Sequence, residues 1–289
     1  MPATLILADH VGRIGNRLTL YTHVIAAAEE LGCRVLNLSL LPHAHLFSGT
    51  HLNPFASYPA SKFPLNLPPL TRCLRRPLEE LVMAWRRRGR PEMLAGFRIL
   101  DQEHRPKYNL ASKEFAREVA RHRLILMWGY SYRCPEWVKK NSQKISHHLS
   151  VRAEVAPWAS QQIEEARHQG KTTCAIHLRQ GDFKTWRGGK YHLNPASVSE
   201  TLRKTSWPHP CPPRQFFICS DEMVPPGIFP TDWLTGVPRA VAEDLYLLSR
   251  ADWVVGGVST FFSWSTWEQS VMWGSEEAGL RIFSRLALP

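Results

Sequence analysis

Short continuous apolar runs recur along the chain and alternate with stretches of helical periodicity. Thr4 to Ala8 (TLILA) is the first such run and reads as a buried parallel strand. The glycine-containing DHVGRIGNR follows. LTLYTHVIAAAEELG then places Leu18, Tyr21, Val24, Ile25 and Ala28 on one helix face, with Gly32 as C-cap. CRVLNLSL returns to strand, so the chain opens on a β-loop-α-β unit of the kind that begins a Rossmann-like half. From Pro42 to Pro77 seven prolines interrupt regular structure. PLEELVMAWRRRGRP reads as a basic helix with Leu81, Val82 and Trp85 toward the core, and Leu124 to Trp128 as a strand. Ser131 to Ser150 is polar, contains Pro135, and is expected to carry the crossover between domains.

The pattern is cleaner in the second half. Val155 to Gln169, Asn194 to Thr205 and Ala240 to Ser249 read as helices. Thr172 to Leu178, Gln215 to Cys219 and Trp253 to Val255 read as strands. This alternation predicts an α/β fold with a mostly parallel sheet. The length of 289 residues fits two domains at about 150 residues each, and the expected division is 1–150 and 151–289.

Composition adds a net charge of +11, from 36 Lys and Arg against 25 Asp and Glu. Such a surface attracts anions: nucleic acid, an acidic membrane or a phosphorylated small molecule. The Arg86–Arg90 cluster is a solvated helix end or a grip on an anionic surface. It lacks the interleaved aromatics of a nucleic-acid site, so a basic nucleic-acid-binding protein is kept only as an alternative. The six cysteines form no CxxC pair and read as reduced thiols, which suits a cytoplasmic protein. The opening apolar run has no basic segment before it and is expected to be a strand, not a signal peptide; no 18-residue apolar stretch is present. His43, His45 and His51 are too loosely spaced for a metal site, and adjacent His147 and His148 cannot easily share one.

Three loops follow apparent strand ends, where open α/β sheets bind ligands. In HLRQGDF, His177 and Arg179 share a side of the strand, and Arg179 could hold a phosphate through two parallel hydrogen bonds. Asp182 could orient Arg179 or the loop backbone; a plain surface ion pair is the other reading. In FFICSDE, Asp221 could meet a ribose hydroxyl or cap the next helix. In ADWVVGGVSTFFSWSTW, a strand, two glycines and hydroxyl residues lead into a helix, an arrangement that presents backbone N–H groups to an anion or simply caps the helix.

These three segments, in this order and with VGRIGNRL near the start, resemble the motifs of bacterial α-1,2-fucosyltransferases. They are also similar to the related α-1,6- and protein O-fucosyltransferases. The resemblance covers residues 11–32 and 174–270 and little of 40–150, where acceptor recognition usually resides. It departs from the H-x-R-R-G-D pattern at Gln180. It implies two Rossmann-like domains facing a cleft, a GT-B-like glycosyltransferase, with the N-terminal domain on the acceptor side. The implied reaction is direct, inverting displacement of GDP from GDP-fucose by a glycan hydroxyl, without cofactor or metal. The absence of a D-x-D motif agrees with that. Arg179 would stabilise the leaving diphosphate. Ser259, Thr260 and Phe261 would meet the phosphates, and His177, Asp221 and Asp252 the guanosine or ribose. Asn16 would face the sugar diphosphate from the other domain. Asp9 and His10 lie near the first loop, with structural roles expected; no general base is identified. A glycan or glycoconjugate acceptor is expected, and a basic patch would suit peripheral association with an anionic membrane. Another nucleotide-sugar transferase and a donor-binding but inactive homologue are the remaining alternatives.

Overall fold

Parallel strands built from the short apolar runs organise both halves of the molecule. The computed structural model describes residues 2–9, 12–53, 55–60, 77, 80, 84–85, 87–89, 92–94, 96–102, 106–207, 213–235, 240–257, 259–266, 271–273 and 281–284. By internal contacts the chain separates into unit 1, Met1–Ser150, and unit 2, Val151–Pro289.

Unit 1 contains strands β1 (Thr4–Leu7), β2 (Arg34–Asn37), β3 (Met93–Leu94), β4 (Phe97–Asp101), β5 (Tyr108–Asn109), β6 (Leu124–Trp128) and β7 (Tyr132–Arg133). Its helices are α1 (Ile14–Leu31), α2 (Lys113–Arg121), α3 (Pro135–Lys140) and α4 (Ser142–His148), with a 3₁₀ helix at Leu38–Leu46. The sheet order is β2-β1-β6-β4-β3, parallel except for the short β3–β4 pair. Leu18, Tyr21, Val24 and Ile25 of α1 are fully buried, and so are Ala26 and Ala27 on its far side. A helix apolar all round needs cover on both sides. The sheet gives one side and α3 and α4 the other.

The segment 131–150 therefore does not cross between domains. It packs back on α1 within unit 1, where Glu30 holds Lys140 at 2.7 Å and Asn141 at 2.8 Å, and Tyr21 Oη meets His148 Nε2 at 3.1 Å. Gly32 ends α1 with φ 65°, as a left-handed C-cap should.

The proline-rich stretch is more ordered at its start than its composition implies. Leu38–Leu46 coils as a 3₁₀ helix with Pro42 inside it, and Asn37 Oδ1 caps it by accepting from Leu40 N at 3.1 Å. Tyr58 then pairs with Val35, and Phe55 O accepts from Asn37 N at 2.9 Å, which ties both residues to the β2 edge. Residues 61–76 lie outside the described residues. Of the basic helix, Trp85 is fully buried against Trp128 at 5.7 Å, whereas Leu81, Val82, Arg86 and Arg90 lie outside the described residues.

Unit 2 contains α5 (Pro157–His168), β8 (Thr173–Leu178), α6 (Pro195–Lys204), β9 (Gln215–Ser220), β10 (Leu234–Thr235), α7 (Val241–Arg250), β11 (Trp253–Gly256), α8 (Thr260–Thr266), β12 (Val271–Trp273) and β13 (Arg281–Ser284). The order is β10-β9-β8-β11-β13-β12. The four strands from β10 to β11 are parallel, and β13 and β12 add an antiparallel edge that the apolar pattern did not suggest.

Every residue of β8 is buried. Cys174, Ile176 and Leu178 pack with Val198 and Leu202 of α6, while Phe217 of β9 meets Trp158 of α5 on the other side. A strand covered on both faces reads as a continuous apolar run, which is why TTCAIHL was legible. The chain leaves β8 toward β9 and later returns across it to β11. The β8–β11 boundary is thus the topological switch point, where the loops at the strand ends diverge.

Candidate functional site

The carboxyl edge of the unit 2 sheet brings three of the sequence motifs together. His177, next to last in β8, lies beside Gly256 of β11. A Cβ on Gly256 would lie 2.7 Å from the Phe262 ring and 3.2 Å from His177 Cβ, so only glycine lets α8 seat this closely. Ser259 Oγ accepts from Phe262 N at 3.1 Å, and Ser263 N donates to Ser259 O at 2.8 Å, which starts α8 directly after β11. The ring of Phe261 stacks on His177 at 5.2 Å and 23°.

His177 is only 6% exposed, so little of its ring is open to a ligand. Burial, reinforced by the neighbouring Arg179 charge, brings its pKa down to about 4, and the imidazole is neutral at pH 7. Thr260 is half-buried at the first position of α8.

Arg179 is held by its Nε alone. That atom donates to Asp182 Oδ1 at 2.8 Å and lies 3.3 Å from Asp221 Oδ2. The terminal Nη groups have no hydrogen-bond partner among the described residues, and the side chain is 17% exposed. A guanidinium clamped through Nε presents the fork that grips a phosphate bidentately.

Asp221 does other work than that expected of it. Its Oδ1 accepts from Gln180 N at 2.7 Å and from Gly181 N at 3.3 Å, while Oδ2 faces Arg179. The carboxylate shapes the Arg179 loop from the next strand end, a role closer to capping than to holding a ribose.

Asp252 is not part of this group. Its Oδ2 accepts from Thr173 N at 2.9 Å and from Thr173 Oγ1 at 2.8 Å. Asp252 precedes β11 and Thr173 begins β8, so both sit at the amino edge of the sheet. Six residues at about 3.3 Å each put that edge about 20 Å from Arg179. Asp252 joins two strand starts and cannot reach a ligand at the carboxyl edge.

Asn16 belongs to unit 1. It lies in the first turn of α1, and a Cβ on Gly12, whose φ is 54°, would fall 2.1 Å from Asn16 Nδ2. Glycine is thus favoured there by conformation, and an added Cβ would push the Asn16 amide aside. Arg17 braces the same loop through Ser39 O at 2.9 Å and Gly12 O at 3.2 Å. Asp9 Oδ2 accepts from Gly129 N at 3.1 Å, joining the loops after β1 and β6 in a structural role. His10 lies outside the described residues.

Gln180 was read only as a departure from a pattern, yet the structure gives it a defined task. It is buried, donates from Nε2 to Leu193 O at 2.9 Å, and pairs its Oε1 with His192 Nε2 at 3.0 Å. The amide both donates and accepts, which an arginine cannot do. The density of rings and cations in FKTWRGGKY between these points was the available signal for what lies there.

Cys33, Cys134, Cys174 and Cys219 are buried free thiols, and Cys73 and Cys211 lie outside the described residues. Among the described residues no group of three or more His, Cys, Asp or Glu could hold a metal ion, and no helix is long and apolar enough to cross a membrane.

No family model and no curated protein matches the sequence. The fold is similar to that of Arabidopsis thaliana FUT1, solved as an arginine-to-lysine mutant in complex with GDP. The likeness covers 93% of this chain and 69% of that one, with a TM-score of 0.53 and 13% identity. It is a likeness of fold: mixed α/β with parallel sheets.

Proposed function

We propose that the protein transfers fucose from GDP-fucose to a hydroxyl of a glycan acceptor, with inversion and without a metal. The carrying observation is the arginine fork at the sheet's carboxyl edge: Arg179 pinned through Nε by two carboxylates, in a fold similar to that of a GDP-bound protein. In this reading the two units are the halves of a GT-B-like enzyme. Unit 2 binds the donor, and unit 1 lies on the acceptor side and offers Asn16. The exposed Arg87 and Arg88 suit a cytoplasmic enzyme that meets an anionic membrane surface.

As the acceptor oxygen bonds to the anomeric carbon from the opposite face and gives up its proton to solvent, the bond from that carbon to the diphosphate oxygen breaks and the bonding pair leaves with the diphosphate. Negative charge grows there while positive charge grows on the sugar. The Nη fork of Arg179 meets that growing charge, and an interaction that strengthens along the reaction lowers the barrier. Asp182 and Asp221 keep the fork in place before the reaction begins. The backbone at Ser259, Thr260 and Phe261 flanks the same edge and would complete the phosphate site. His177, neutral and buried, supports Phe261 by stacking.

Replacing Arg179 by Ala should lower GDP release from GDP-fucose with acceptor by about 10²–10³-fold in a folded variant. Near-wild-type turnover would refute the mechanism. Calorimetry with GDP, UDP and ADP should show a preference for GDP, and its absence would point to another nucleotide sugar.

A further inference from the structure

Between Gln180 and Leu193 the chain makes an excursion whose ends are stapled by the Gln180 side chain. Its tip carries three rings in contact. Phe183 stacks on Trp186 at 5.1 Å and 19°, and Trp186 meets Tyr191 at 5.3 Å and 37°. Trp186 is 46% exposed. Cations lie over two of the rings: Arg187 Cζ is 5.2 Å from the Trp186 centroid and Lys190 Nζ 5.8 Å from that of Tyr191. The inner end of the ladder touches the candidate site, because Arg179 Cζ lies 5.7 Å from the Phe183 centroid.

We propose that the Phe183–Trp186–Tyr191 ridge is the acceptor-binding surface, and that it takes a glycan whose sugar rings carry anionic groups. The proposal rests on the reading of Arg179 as the donor-phosphate group. An acceptor hydroxyl must lie next to the donor, and this ridge begins beside Arg179. A pyranose offers an apolar C–H face to an exposed indole and hydroxyls to water, which suits a half-exposed ring. The tilt between Trp186 and Tyr191 leaves no parallel-walled slot of the kind a flat nucleobase fills. Arg187 and Lys190 supply the charge that selects an acidic sugar over a neutral one.

The test uses the full chain saturated with GDP. The probes are a short oligogalacturonide and its carboxyl-reduced, neutral counterpart. Binding is followed by calorimetry and by saturation transfer to the sugar C–H protons. The acidic probe should bind more tightly than the neutral one. Trp186→Ala should weaken it about tenfold, a loss that Trp186→Phe partly restores. The double replacement Arg187→Gln, Lys190→Gln should remove the preference for the acidic probe. GDP affinity should stay within about twofold in all of these variants. The proposal is overturned if the wild-type chain with GDP bound shows no preference for the acidic probe. It is also overturned if Trp186→Ala weakens GDP as much as the saccharide, since the ridge would then be a base-binding surface. A wild-type chain that fails to bind GDP at all refutes the donor reading itself, a separate outcome.

Discussion

Asp221 sits where one carboxylate serves two elements. It accepts from two backbone N–H groups of the loop after β8 and faces the Arg179 guanidinium. Asp182 contacts the same guanidinium but is half-exposed and is not bonded to the Gln180 or Gly181 N–H groups. The two should therefore separate stability from activity. Asp221→Ala strands two donors, which costs about 1–3 kcal/mol and lowers Tm by about 2–4 °C for each kcal/mol. Asp182→Ala should leave stability within about 0.5 kcal/mol and lower turnover about tenfold as Arg179 loosens. Thermal melts beside GDP-release assays would check both, and equal destabilisation by the two changes would contradict the assignment. At this scale the sequence showed Arg179 and its Asp182 partner, because three residues of spacing at a strand end bring them together. It did not show Asp221 as the loop's organiser, since that contact spans 41 positions between neighbouring strands. Asp252 was misplaced by resemblance alone. Its place before its strand, where Asp221 follows one, already put it at the wrong edge.

Among elements, those with strong end signals were the easiest to read. Asn194 and Pro195 open α6 as a cap and first-turn proline, with Asn194 Oδ1 accepting from Ala196 N at 2.9 Å. Strands such as β8 and β11, covered on both faces, kept unbroken apolar runs. Phe97–Asp101 was missed because Arg98 interrupts it, and that arginine is neutralised by Glu118 at 2.8 Å and Glu92 at 2.8 Å. The 3₁₀ helix at Leu38–Leu46 was hidden by Pro42, which such a coil tolerates once Asn37 caps it. Short α8 has a comparable dependence on one hydroxyl. Ser259→Ala should destabilise unit 2 by about 1 kcal/mol, and Ser259→Asp should keep the cap. Urea unfolding curves would test this, and an Ala variant as stable as the wild type would show that the packing of Phe262 against Gly256 alone holds the helix.

For the molecule as a whole, buried histidines tie stability to pH more strongly than its basic charge suggests. Burial brings His23, His148 and His177 each from 6.5 down to about 4, with Arg133 adding to the effect at His23, His147 at His148 and Arg179 at His177. Burial shifts His43 the same way. Above pH 6.5 these rings are neutral in both folded and unfolded chains and cost nothing. Below it the unfolded chain takes up protons that the folded one refuses. Each deeply shifted ring should then cost about 1.4 kcal/mol per pH unit down to about pH 4. Glu29, where burial is outweighed by the hydrogen bonds from Lys144 and Tyr58, and Glu118, held down by Arg98, both lie below 4.5; they favour the folded chain above that range and lose their contribution only at lower pH. The +11 charge adds self-repulsion in the same direction as further protons bind. Three rings together approach 4 kcal/mol per pH unit, against a usual stability of about 5–15 kcal/mol. Unfolding should therefore set in near pH 5, before the carboxylates titrate. Urea unfolding at pH 7, 6 and 5 should show the steep slope. His177→Phe, which keeps a ring against Phe261, should reduce it by about a third. Equal stability at pH 7 and pH 5 would mean that the three rings take up their protons in the folded chain, with water reaching sites that the packing shows closed.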